Sequence, residues 1–351
     1  MKKLFGLCLM FLSACCTICG ESFLAAGKDG IFLFEEQRAG RLVLELGHIS
    51  YLVKAPQCNL YYAALTKKPD SKLKGGAVAL LVRENGKFAV VEVFDLGKHT
   101  PAHITISPDG RFLYTANYSR GTISEIALQE NGSMKSVRFI QHSGKSILKR
   151  QHSPHPHQCW FDLQNRELLV CDLGTDEIFV YGYSAQHGIE TSPRKKLKLA
   201  PGSGPRHLVF APDGKTLYCA NELASTVTSF VRRKGDWQPG KTVPTLVEPF
   251  QKNFPGAIKI TKCGKFLLVS NRGHNSIALF ETFANGDFSL LETVKIKGNY
   301  PFDILFLNND RKVAVCNYKS DSVMLFKFDK LQKKLLPEAE YTMSQPKALV
   351  E

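Results

Sequence analysis

Five prolines in this chain each open a short apolar run. Sixteen residues after each of them, a polar residue closes a second apolar run. The pairs are Pro101 and Asn117, Pro156 and Asp172, Pro205 and Asn221, Pro255 and Asn271, and Pro301 and Asn317. Successive prolines lie 55, 49, 50 and 46 residues apart. A unit of this length cannot bury both faces of its own sheet, so copies must stack on one another. Two short strands at a fixed offset in each copy predict a β-propeller, in which equivalent positions face one central channel.

The Pro101 copy shows the internal pattern: PAHITISPDGRFLYTANYSRGTISEIAL. HITIS alternates, SPDG turns, RFLYTAN forms a second strand and GTISEIAL a third. Pro presets φ in the turn and Gly accepts the left-handed conformation. A fourth, more variable strand fills the distance to the next proline. A weaker copy, ISYLVKAPQCNLYYAAL followed by AVALLV, reads as one residue shorter between its strands and lacks the terminal Asn. That makes six copies. The chain ends predict a seventh: Pro346, 45 residues after Pro301, opens PKALV as a first strand. Residues 23–27, 30–34 and 42–46 would supply the other three. The expected architecture is an all-β, seven-bladed propeller with four antiparallel strands per blade, one blade being closed by both termini. Closure of that kind removes exposed sheet edges. Residues 21–351 are read as one domain, with a stack of sandwich domains as the alternative.

Residues 1–20 stand apart. Lys2 and Lys3 precede a short apolar stretch of small residues, the form of a secretory leader. Leu12-Ser13-Ala14-Cys15 resembles a lipobox, which would make Cys15 a lipid anchor. Cleavage would place the protein in the periplasm or on the envelope, and an uncleaved leader would leave it in the cytoplasm. Of ten cysteines, Cys8, Cys15, Cys16 and Cys19 fall in the leader, and the rest are too scattered for a disulfide framework or a zinc site. The net charge of +14 is spread along the chain, without the aromatic–basic module of a nucleic-acid binder. It suits an anionic small-molecule partner. The denser basic groups, residues 144–150 (GKSILKR) and 194–198 (RKKLK), read as solvated loops.

In a propeller the start of the first strand and the end of the second meet at one rim. Immediately after the prolines stand Ala102, His157, Arg206, Gly256 and Phe302. Immediately after the Asn/Asp positions stand Tyr118, Leu173, Glu222, Arg272 and Tyr318. His157, Arg206, Glu222 and Arg272 therefore converge on one mouth. His155, His103, His207 and His274 are expected near the same rim as substrate-binding candidates, with Asp303 close by. By the same register the Pro101 and Pro301 blades look chemically silent. The repeated Asn/Asp reads as scaffold.

The segments GSGPRHLVFAPDGKTLYCANELASTVTSF, HPHQCWFDLQNRELLVCDLGTDEIFVY and SNRGHNSIALF resemble the lactonase family of seven-bladed propellers. That family includes propeller-type 6-phosphogluconolactonases and a muconate lactonising enzyme. The resemblance covers about residues 23–350. It implies an active site of His157, Arg206, Glu222 and Arg272 and the hydrolysis of a lactone, with 6-phospho-D-glucono-1,5-lactone first among substrates. Glu222 or His157 would deprotonate water, Arg206 would stabilise the oxyanion and Arg272 would hold an anionic tail. No cofactor and no metal is called for. Lactonisation of a muconate-type diacid and a non-catalytic envelope platform are the alternatives.

Overall fold

The computed structural model describes residues 22–35, 38–56, 59–69, 75–164 and 166–351. The 1–20 leader and its lipobox lie outside the described residues. Among the described residues, no helix is long and apolar enough to cross a membrane.

Four of the five sixteen-residue pairs are rungs of an antiparallel ladder, and in the Pro101 copy the ladder begins two residues later, at His103 facing Ala116. Pro156 faces Asp172, Pro205 faces Asn221, Pro255 faces Asn271 and Pro301 faces Asn317. The turn chemistry behaves as its residues dictate. In SPDG, the Ser107 hydroxyl accepts the backbone N–H groups of Arg111 and Phe112 at 3.1 and 2.9 Å, and Gly110 takes φ 71°. The weaker first copy keeps the same offset: Ile49 faces Leu65, so it is the proline and the asparagine that are missing and not a residue.

The described strands form seven antiparallel sheets. The inner strands touch in sequence, from Ile49–Lys54 through His103–Ile106, Pro156–Asp162, Pro205–Phe210, Phe254–Ile260 and Pro301–Leu307 to Ala348–Val350, which returns to the first. The circle is closed by one antiparallel sheet drawn from both ends of the chain, in which C-terminal Ala348–Val350 pairs with N-terminal Ser22–Ala26, followed by Gly30–Glu35 and Arg41–Glu45. Seven apolar clusters fill the gaps between neighbouring blades, one per gap. Burial between blades is what makes single sheets stable, and truncating one such leucine to alanine costs about 2–5 kcal/mol. The cysteines serve this core: Cys159, Cys171, Cys219 and Cys316 are buried free thiols, while Cys263 is exposed.

The terminal Asn column braces the blades from within. Asn117 donates to Thr122 Oγ1 at 3.1 Å, Asn221 to Thr226 Oγ1 at 2.9 Å, Asn271 to Ser276 Oγ at 3.1 Å and Asn317 to Ser322 Oγ at 3.3 Å. Each bond ties the end of the second strand to the start of the third.

One irregularity matters for the site. Immediately after the blade proline, the inner strand carries one residue more than its partner. Pro205 faces Asn221, but His207, not Arg206, faces Ala220. The same shift falls at His157, at Phe302, around Gly256 and, after Ile49, at Ser50. A β-bulge at this point turns the extra side chain out of the pleat. The column after the proline is therefore aimed at the mouth and not into the core.

Candidate active site

Glu222 is the centre of the mouth. It follows Asn221 at the end of its strand and is almost fully buried. Three guanidinium groups surround its carboxylate. Arg272 Nη2 donates to Oε2 at 2.5 Å, Arg206 Nε lies 3.2 Å from the same oxygen, and Arg150 Nη1 donates to Oε1 at 2.5 Å. Burial opposes ionisation of this carboxyl, but Arg272, Arg206 and Arg150 outweigh it and hold it well below the usual carboxylate range. Glu222 is thus a fixed anion.

Arg206 and Arg272 differ in what they have left to offer. Arg272 also donates its Nε to Phe254 O at 3.0 Å and its Nη2 to Pro255 O at 3.3 Å, so these two nitrogens are committed to the protein. Gly256 makes room for it, since a Cβ there would stand 3.0 Å from Arg272 Nε and 2.8 Å from Ser270 Oγ. Arg206 is 1% exposed; its Nε is held to Glu222 by the ion pair alone, and its Nη1 has no hydrogen-bond partner among the described residues. Burial first, then the charge of Arg272, loosens its proton down to about 9, which leaves it a cation at neutral pH.

Arg150 comes from outside the repeats, on the short 3₁₀ turn Lys149–Gln151 within the segment read from sequence as a solvated loop. Its Nε donates to the Tyr118 hydroxyl at 3.0 Å. Asp176, buried in a neighbouring turn, fastens this loop. It accepts from Ser146 Oγ at 2.5 Å and Gln151 Nε2 at 2.7 Å, and from the backbone N–H groups of Gly202 and Gly204 at 2.7 and 2.6 Å. One carboxylate thereby positions both the Arg150 loop and the GSGP turn that leads into Arg206.

The histidines line one wall. His155 stacks on Tyr118 with ring centres 4.4 Å apart and bonds through Nδ1 to Tyr118 O at 2.9 Å. His157 meets Tyr118 edge-on at 5.6 Å and His207 at 5.3 Å, and His207 meets His103 at 5.6 Å. The line runs inward, so His103 is fully buried inside the channel, against Tyr51 and not at the rim. Burial first, then the charge of Arg206 on His157 and His207, and of Lys259 and Arg206 on His103, hold all three well below the usual imidazole range. They are neutral at pH 7. The Nδ1 of His157 is buried and unpartnered among the described residues. His274 stands apart: it bonds to Ser276 Oγ at 2.8 Å and packs on Phe250. Asp303 accepts the N–H of Ile304 at 2.9 Å and of Leu349 at 3.0 Å, tying the last strand to its neighbour.

The blades expected to be silent are part of the site. Phe302 lies 5.3 Å beneath the Arg206 guanidinium and 5.8 Å from that of Arg272, and Tyr300 lies 5.3 Å from Arg272. Cation–π contact of this kind supports buried cations without neutralising them. Tyr118 carries both His155 and His157. Uncharged aromatic side chains in a charged column are supports, a reading that a search for ionisable residues passes over.

A chain that folds into a ring of seven four-stranded blades finds its match among known proteins. The chain belongs to the seven-bladed β-propeller lactonases, whose family model matches residues 37–350. Its enzyme class is that of the lactone hydrolases. It is 30% identical over 321 residues to the 6-phosphogluconolactonase of Bacillus subtilis (strain 168), covering 88% of this chain and 90% of that one. It is also 30% identical over 296 residues to a 6-phosphogluconolactonase of Formosa agariphila, covering 81% and 83%. Among solved structures, the periplasmic gluconolactonase PpgL of Pseudomonas aeruginosa superposes with a TM-score of 0.87 at 26% identity, covering 94% of this chain and 99% of that one.

Proposed function

We propose that this protein opens 6-phospho-D-glucono-1,5-lactone to 6-phosphogluconate, with His157, Arg206, Glu222 and Arg272 as the working group. The reading is carried by Arg206, a buried cation whose Nη1 has no hydrogen-bond partner among the described residues, beside a neutral imidazole. Such donors suit an oxygen that becomes negative during reaction.

In this mechanism His157 takes a proton from water as the water oxygen bonds to the lactone carbonyl carbon. The carbonyl electron pair moves onto oxygen, and Arg206 meets the resulting oxyanion, a contact worth roughly 3–4 kcal/mol per donor. The intermediate collapses, the bond from that carbon to the ring oxygen breaks, and the imidazolium returns the proton to the departing oxygen. The depressed proton affinity of His157 makes it a modest base but a strong acid for that second transfer, and proton transfer contributes about 10²–10⁴ in rate. Glu222 is too firmly ionised to relay the proton and instead fixes the three arginines. His155 and His207 hold the wall against which His157 stands.

Loss of the lactone above its spontaneous rate, followed by NMR on the folded protein, tests the reading. Hydrolysis supports it. Closure of a 3-carboxymuconate in its place would make the protein a cyclase, and turnover of neither would return it to a binding platform. We also propose that residues 1–20 direct export ahead of the 21–351 propeller. The mass of the mature N-terminus in the native cell decides this, since an intact Met1 peptide contradicts it.

A further inference from the structure

Lys347 occupies the mouth column in the closing blade. Ala348 faces Ala26 in the ladder, and the preceding N–H, that of Lys347, donates to the same Ala26 carbonyl at 2.8 Å. The Pro101 blade repeats this arrangement: His103 faces Ala116, and Ala102 N–H donates to Ala116 O at 2.8 Å. Lys347 follows Pro346 as Ala102 follows Pro101. It is therefore the bulge residue of its blade, the counterpart of His157 and Arg206, and its side chain is turned toward the mouth.

Its ammonium group has no acidic partner among the described residues and rests 5.2 Å from the centre of the Tyr318 ring. Tyr318 packs on Phe302 at 5.8 Å, and Phe302 lies 5.3 Å under Arg206. Lys347 and Arg206 thus flank one aromatic shelf. Arg206, Arg272 and Arg150 all lie against Glu222, and Arg272 commits its Nε and Nη2 to that carboxylate and to two backbone carbonyls. Half-buried Lys347 carries a charge that the protein leaves unmatched, and burial lowers its proton affinity. An unpaired, partly desolvated cation at the mouth of a site is matched when an anionic ligand arrives.

We propose that Lys347 is the anchor for the terminal anionic group of the substrate, a phosphate or carboxylate on the carbon remote from the lactone carbonyl. This assignment rests on the lactone reading above for the identity of the substrate's other end. It makes Lys347 the residue that separates acidic sugar lactones from neutral ones.

Calorimetry with three open-chain acids tests it without any turnover: gluconate, 6-phosphogluconate and glucarate, the last with a carboxylate in place of the phosphate. The native protein should bind one or both of the acids with a terminal anion about ten- to hundredfold more tightly than gluconate, the worth of one charge-assisted contact. Preference for 6-phosphogluconate alone identifies a phosphate, and equal preference for glucarate identifies any anion. Lys347→Gln should erase the preference and leave gluconate binding unchanged, whereas Lys347→Arg should retain it. A native protein without the preference, including one that binds none of the three, overturns the proposal, as does a Lys347→Gln variant that keeps it. Absence of lactone turnover alongside an intact preference would instead sink the hydrolase reading and leave Lys347 as an anion anchor.

Discussion

Arg150 sets its Nη1 2.5 Å from Glu222 Oε1 although it belongs to no blade. Its side chain is 45% exposed, so it closes the carboxylate off from the solvent side. Arg150→Met should leave the fold intact and reduce kcat/KM by about ten- to hundredfold, the value of one charge-assisted hydrogen bond. Steady-state kinetics beside a thermal melt check this, and unchanged kinetics would make Arg150 a surface ornament.

Glu222→Gln is expected to abolish most turnover and also to destabilise the protein. It leaves buried Arg206 and Arg272 without their counter-charge, and breaking a buried ion pair from one side costs about 3–5 kcal/mol. Urea unfolding measures the loss. A variant as stable as the native protein would show that the arginines find other partners.

Gly256→Ala places a methyl group where Arg272 Nε passes at 3.0 Å. Displacing a positioned group by about 1 Å can cost a hundredfold in rate. The loss should vanish in the background of Arg272→Met, because the two changes act on one interaction. Additive losses would mean that Gly256 matters for another reason.

Asp176→Ala leaves four donors without their acceptor, each worth about 1–3 kcal/mol when buried and unsatisfied. Hydrogen exchange should rise together in residues 144–151 and 200–205, with kcat/KM falling. Exchange confined to one of the loops would break the proposed link between Arg150 and Arg206.

Stability should fall as pH drops below about 6.5, the value of a histidine in the unfolded chain. His103, His157 and His207 are held neutral in the fold, so in this range the unfolded state binds more protons than the native state. The sign of the linkage then makes stability complete above the unfolded value and eroded downward, by roughly 1.4 kcal/mol per pH unit for each residue. Glu222 is ionised in both states down to about pH 4.3 and adds nothing here. His103→Phe should reduce the slope by one histidine's share in urea titrations between pH 7.5 and 5, and an unaltered slope would assign the protons elsewhere.

The register of the repeat made the ring, its closure and most of the mouth legible before any coordinates. The fixed offset between Pro205 and Asn221 is a rung of the ladder, so a sequence count is a structural count. The same rule, carried one blade further to Pro346, points to Lys347. Arg150 and Asp176 obey no such rule. They sit in connections between strands, where position depends on what the loop finds to bond with, and local pattern carries no trace of a partner 72 residues away. The committed state of Arg272 was likewise invisible, because it depends on carbonyls whose direction only the fold decides.

The bulge after each blade proline has a consequence for change over time. A side chain within the pleat answers to the core on one face or the next blade on the other. Ser50, Ala102, His157, Arg206, Gly256, Phe302 and Lys347 stand at the bulge or at its equivalent, so that obligation falls on their neighbours. Where the occupant is not itself tied in, as at Ala102, His157, Phe302 and Lys347, such sockets around one opening can be refilled with new chemistry while the pleat beneath them stays in step. A library confined to those positions would vary what the mouth can do with little alteration to how the ring holds together.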